Sequence, residues 1–128
     1  MSSRRYSKEH EWVTVEDSGI AIIGISQYAS DQLGDIVFIN FLKGINSKIE
    51  ADETCVEIEA IKGVSPVYSP IGGTIIAVND LLALEENTKL INEDPYGKGW
   101  LFKIQYINIE EIELLMDEED YLEYIGME

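Results

Sequence analysis

One cysteine and one histidine are all that this 128-residue chain can offer a soft metal ion. Cys55 has no second thiol, which excludes an internal disulfide and a thiolate zinc site, and His10 alone cannot complete a transition-metal centre. The same scarcity leaves poor material for a nucleophile–base pair, so no catalytic residue is assigned. Cys55 reads instead as a small apolar residue packed in a strand. Basic residues are also few. Nine Lys+Arg stand against 25 Asp+Glu, and the net charge of −16 argues against binding a nucleic-acid backbone or an anionic membrane. Long apolar runs are missing too: Ile20 to Ile25 falls far short of the roughly 18 residues that suggest a spanning helix. The opening Met1-Ser2-Ser3-Arg4-Arg5 has the flavour of an import presequence but yields at once to the strand-like Glu9–Val13. Residues 1–5 therefore read as a short disordered lead-in to an intracellular, cytoplasmic protein.

What is present is β-rich and, at this length, a single domain spanning 1–128. Alternation predicts strands over His10–Val15, Ile20–Ile25, Asp35–Phe41, Thr54–Ile61, Val64–Tyr68, Thr74–Val78 and Gly99–Tyr106. Ser26 is an N-cap for a helix through Leu33 that Gly34 stops, and Asp80 can cap a short helix over Leu81–Glu86. From Asn108 the period becomes helical. Asn108 and Glu111 resemble a capping box, and Asp117 or Asp120 opens a second helix, so 108–128 is expected to be a helical C-terminal extension. Nine acidic residues fall between Glu110 and Glu128; they form either a solvated helical cap or an acidic docking surface for a basic partner. Trp12 and Trp100 are assigned to the core, and His10 to a strand without a functional role.

The residue that stands apart is Lys62, the only basic residue between Lys48 and Lys89. Lys62-Gly63 lies between two β-rich runs, the signature of a tight hairpin. A lysine there is either a solvated charge or an amine that an enzyme acylates, held clear of the body on a stiff stem. Pattern alone leaves both open.

Six ordered blocks carry a family resemblance. They are Tyr6 to Trp12 (Tyr-Ser-Lys-Glu-His-Glu-Trp), Gly24 to Ala29, Gln32 to Val37, Glu59 to Ser65, Tyr68-Ser69-Pro70 with Gly73 to Asn79, and Leu90 to Gly97 with Gly99-Trp100-Leu101. Together they resemble the H proteins of the glycine cleavage system, lipoyl-carrying relatives of the lipoyl domains. The resemblance implies a barrel-sandwich hybrid: two small antiparallel sheets with short helices and a helical C-terminal region. It implies lipoate in amide linkage on Lys62, with Glu59 and Gly63 as recognition context for the lipoate-attaching enzyme. It implies that Glu9 and Glu11 help line a cleft for the loaded arm. The partners implied are the glycine decarboxylase (P protein), the aminomethyltransferase (T protein) and dihydrolipoamide dehydrogenase (L protein), served by a monomeric, non-catalytic carrier.

Three positions depart from the family's pattern: Ala60 replaces a serine, Gly63 an alanine, and Pro66 a short acidic residue. Pro66 matters most, since it removes an amide donor and a carboxylate beside the arm, and a proline suits only an edge or bulge. Two alternatives follow: an H-like lipoate relay serving another pathway, or a biotinyl carrier. The latter usually flanks its lysine with methionines, where Ile61 and Gly63 stand here.

Overall fold

The computed structural model describes residues 4–126. Two antiparallel sheets face each other around one core. The larger has six strands in the order β1 (Arg5–Tyr6), β2 (Glu11–Asp17), β3 (Ile20–Ile25), β9 (Phe102–Tyr106), β8 (Gly73–Val78) and β5 (Lys48–Ile49). The smaller has three: β4 (Ile36–Phe41), β6 (Thr54–Ala60) and β7 (Gly63–Tyr68), with β6 central. This is the barrel-sandwich architecture that the family resemblance implies. β-branched side chains supply the filling: Val13, Ile23, Ile58, Ile71, Ile75 and Ile104 are sealed from solvent, each worth roughly 1.5–3 kcal/mol of burial. No helix among the described residues is long and apolar enough to cross a membrane.

Helices trim the sheets. In α1 (Gln27–Leu33), the Ser26 hydroxyl accepts the Ala29 N–H at 3.1 Å, and Gly34 ends the helix at φ 73°. The helix expected over 81–86 is instead two 3₁₀ turns, Asp80–Ala83 and Glu85–Asn87. Asp80 does not cap; the preceding Asn79 spends its amide on the Lys98 and Trp100 carbonyls. A one-turn helix, α2 (Leu90–Glu93), forms just before Asp94-Pro95, where the sequence pattern assigns no element. Beyond it, α3 (Ile109–Glu113) and α4 (Glu118–Gly126) follow. Asn108 caps α3 through the Glu110 N–H, but the expected reciprocal bond is absent, because the Glu111 carboxylate reaches the Gly72 N–H at 2.9 Å instead.

Two bulges overturn the simple alternation. Pairing slips between Ile36 and Phe38, so Ile36 turns inward with Ile39 while Val37 and Phe38 are both exposed. A second slip between Thr54 and Val56 buries Cys55 beside Val56 rather than across from it. Burial, with the Glu53 charge second, pushes the Cys55 thiol up to about 12, which keeps it inert. At the N-terminus, residues 1–3 of the expected lead-in lie outside the described part, and Arg4 and Arg5 lie against the body of the fold. Arg5 pairs with Val13, and the Arg4 guanidinium sits 3.9 Å over the Tyr96 ring, because a strand and an aromatic face are available to them.

Candidate functional site

β6 and β7 form a hairpin whose ladder closes at Ala60 and Gly63. The two turn residues are therefore Ile61 and Lys62, one position earlier than expected, and Gly63 is already in the strand. Neither turn residue has a positive φ; Gly63 takes it, at 142°. A Cβ on Gly63 would meet open space, so its demand is for backbone freedom, not for clearance beside the amine. Lys62 is exposed and, among the described residues, makes no hydrogen bond or ion pair. Its stem rests against the end of α1, where a Cβ on Gly34 would lie 3.5 Å from Lys62 Cε and 3.3 Å from Ile61 Cγ1. The Ile61 N–H donates to the Asp35 carbonyl at 3.0 Å, fixing the bend to the same segment. Glu59 lies on the outward face of β6, exposed, between Phe38 and Val64.

From this apex a cleft of about 470 Å³ runs between α1, β7 and the loop before β2. That volume is in the range of sites that hold small organic groups. Leu33 and Ser65 mark the end near the lysine, although Lys62 itself is not part of the wall; Glu9, His10, Glu11 and Pro66 line it further along. The structure thus brings Glu9 and Glu11 together in one wall, with Lys62 and Gly63 at the apex and Glu59 on the outward sheet face. Pro66 occupies the edge strand β7 opposite Glu57, where the ladder tolerates a residue without an N–H.

Glu11 is the electrostatic centre of the cleft. Only 2% exposed, it accepts hydrogen bonds from the Ser7 hydroxyl and from the Tyr68 N–H at 3.1 Å. Burial raises its pKa to about 7, against the lowering effect of those two donors, and the carboxylates of Glu9 and Asp52 add to the rise. His10 is not a strand residue. It sits at a bend with φ 72°, and its ring packs among Tyr28, Tyr121 and Tyr124.

The Tyr121 hydroxyl, from α4, lies 2.8 Å from His10 Nδ1 and 2.6 Å from Ser26 Oγ, the cap of α1. Tyr121 also stacks on Tyr6 at 4.1 Å, and Glu118 accepts from the Tyr6 hydroxyl. The C-terminal segment is therefore packed against two walls of the cleft. Tyr28, Tyr68 and Tyr121 were missed in sequence because aromatics in β-rich chains read as core. Only Tyr121 carries a signal, a buried hydroxyl that needs a partner; Tyr68 acts through its backbone N–H and Tyr28 through its ring.

Comparison with known proteins bears on this geometry. The family model described as "Glycine cleavage H-protein" matches residues 4–128. A glycine cleavage system H protein of Coprothermobacter proteolyticus is 41% identical over 122 residues, covering 95% of this chain and 94% of the relative. One from Thermotoga maritima is 40% identical over 128 residues, the full length of both. The crystal structure of a glycine cleavage system H protein from Mycobacterium marinum superposes with a TM-score of 0.81 at 32% identity, covering 98% of this chain and 95% of that one.

Proposed function

Because this chain belongs to the glycine cleavage H-protein family, we propose that it is the lipoyl-lysine carrier of that system, loaded at Lys62 and without catalysis of its own. The observation that carries the reading is an exposed amine, without a partner among the described residues, at a two-residue bend adjoining a cleft with carboxylates in its wall. Lys62 Nζ would hold lipoate in amide linkage, and that group would supply a redox-active disulfide able to carry the aminomethyl unit left when glycine loses CO₂ at the P protein, on to the T protein, with the L protein restoring the disulfide.

The chain's residues do the rest. Lys62 supplies the nucleophilic amine, which an arginine would lack. Glu59, three residues before it, and Gly63, which sets the bend, are what the lipoate-attaching enzyme reads. Tethering keeps the arm concentrated at each partner's site. Glu9 and Glu11 face a cationic cargo in the cleft, where attraction strengthens as water leaves. A cation entering would favour the ionised form of Glu11, so occupancy and ionisation are linked there. The unit is the whole chain, 1–128, working as a cytoplasmic monomer with a C-terminal extension from 108 whose helices end at Gly126; residues 127 and 128 lie outside the described part. A second reading, an H-like lipoate relay for another pathway, is favoured by Pro66, which puts no charge on its stretch of the cleft wall.

The test is direct. Incubated with lipoate–protein ligase, lipoate and ATP, the wild type gains one lipoyl adduct by intact mass and Lys62→Arg gains none, while both melt alike because the apex is solvent-facing. The loaded wild type then supports glycine–CO₂ exchange with P protein. An adduct on Lys62→Arg sinks the assignment, and a loaded carrier that an active P protein ignores selects the relay.

A further inference from the structure

We infer that Asn92 is a positioning residue for Lys62, acting through the segment on which the hairpin apex rests; the inference rests on Lys62 being the loaded lysine. Gly34 and Asp35 belong to no helix or strand, yet they carry the apex: the Asp35 carbonyl holds the Ile61 N–H, and Gly34 is where the Ile61 and Lys62 stems lie. A linker of this kind, with no ladder of its own, needs its polar groups satisfied from outside. Asn92 does this with every polar atom of its side chain. Its Nδ2 donates to the Gly34 carbonyl at 2.9 Å and to Ser30 Oγ at 3.0 Å, while Oδ1 accepts the Ile36 N–H at 3.2 Å. Thr88 reinforces the same spot, with Oγ1 2.8 Å from the Ile36 carbonyl.

A carboxamide is the group that can do this. It presents two donors and an acceptor at fixed spacing, and so joins the last turn of α1, the linker and the first residue of β4 in one geometry. The chain of contact then runs from Asn92 to Gly34–Ile36, to the Asp35 carbonyl, to Ile61, to Lys62. None of these links passes through the cleft. Asn92 therefore determines where the amine stands relative to α1 without touching any group carried on it. An aspartate would keep the acceptor for Ile36 but set an oxygen against the Gly34 carbonyl, freeing the linker.

Asn92→Asp is compared with Asn79→Asp, which inflicts the same loss elsewhere: Asn79 Nδ2 donates to the Lys98 and Trp100 carbonyls, both at 2.8 Å. Two readouts are taken where both variants are folded, namely NMR exchange of the Ile61 amide and the kcat/KM of lipoate–protein ligase acting on the apo-protein. Asn92→Asp is expected to speed Ile61 exchange about tenfold through local opening and to lower ligase kcat/KM by about tenfold, since small misplacements cost large factors. Asn79→Asp leaves both within about twofold of wild type once global stability is matched. If Asn92→Asp does not fold, Thr88→Val, which removes the hydroxyl bond to the Ile36 carbonyl where the linker enters β4, must shift both readouts in the same direction. Equal effects from Asn92 and Asn79, or faster Ile61 exchange with unchanged ligation, overturn the inference alone. A wild type that the ligase does not acylate at Lys62 overturns the functional reading, and the inference with it.

Discussion

Replacing Glu11 by glutamine should change how stability depends on pH, by an amount that the cleft geometry sets. The glutamine is isosteric and can still accept from the Tyr68 N–H, while the Ser7 hydroxyl turns to accept from its new amide. What is lost is the charge. Glu11 titrates at about 7 in the folded protein against an ordinary 4.5, because its carboxylate is buried with Glu9 and Asp52 nearby. The native state therefore holds the proton more tightly than the unfolded chain does. Below pH 4.5 both states are protonated and Glu11 costs nothing; as pH rises from 4.5 to about 7 the unfolded chain ionises first, and stability falls. At about 1.4 kcal/mol per pH unit, that gap amounts to about 3 kcal/mol. Urea denaturation of wild type and Glu11→Gln at a series of pH values isolates this contribution, since groups common to both proteins cancel in the difference. The variant should gain about 3 kcal/mol on the wild type between about pH 4 and pH 8, with the change confined to that window. A difference that stays flat within about 0.5 kcal/mol would refute the assignment of a desolvated carboxyl in the cleft wall.

Two further substitutions probe the frame around the cleft. Gly24→Ala places a Cβ 2.7 Å from three atoms of the Trp12 indole, whose Nε1 is anchored on the Pro95 carbonyl, so neither side can yield cheaply. Overpacking should cost about 1–3 kcal/mol and shift the near-ultraviolet signal of Trp12; an unchanged melting temperature would contradict the packing described. Tyr121→Phe removes the hydroxyl that meets both His10 Nδ1 and the buried Ser26 Oγ, and with it the polar link from α4 to the cap of α1. The expected cost is about 1–2 kcal/mol by chemical denaturation, with the stacking on Tyr6 kept; a variant as stable as wild type would show that the Tyr121 hydroxyl contributes nothing to holding α4.

Much of this molecule is legible from local rules. Period-two alternation locates the main strands because one side of each must be buried. Ser26 and Gly34 bound α1 because a cap hydroxyl and a left-handed residue act within a few positions of themselves. The same locality fails where the ladder slips. The bulges at Val37 and Cys55 depend on how a neighbouring strand is seated, and nothing in either run announces them. They turn Ile36 and Cys55 inward against the alternation, and the hairpin bend falls one residue earlier than its glycine suggests. The two-residue strands at Arg5 and Lys48 escape notice for the same reason, since each is too short to show a period and exists only by pairing.

That this is a β-rich, acidic protein with an isolated lysine between two strands, poor in the residues that metal binding and nucleophilic catalysis require, is readable from its residues in order. Those properties follow from composition and from spacings of a few residues. The fold sets the cleft and the support of the apex: Glu11 under the Tyr68 amide, Tyr121 against His10, and Asn92 bonded to the linker on which Ile61 and Lys62 rest. These partners lie dozens of residues apart along the chain. Whether a buried carboxyl, hydroxyl or carboxamide finds its match is settled by the meeting of two sheets and a C-terminal helix, and no local pattern encodes that meeting.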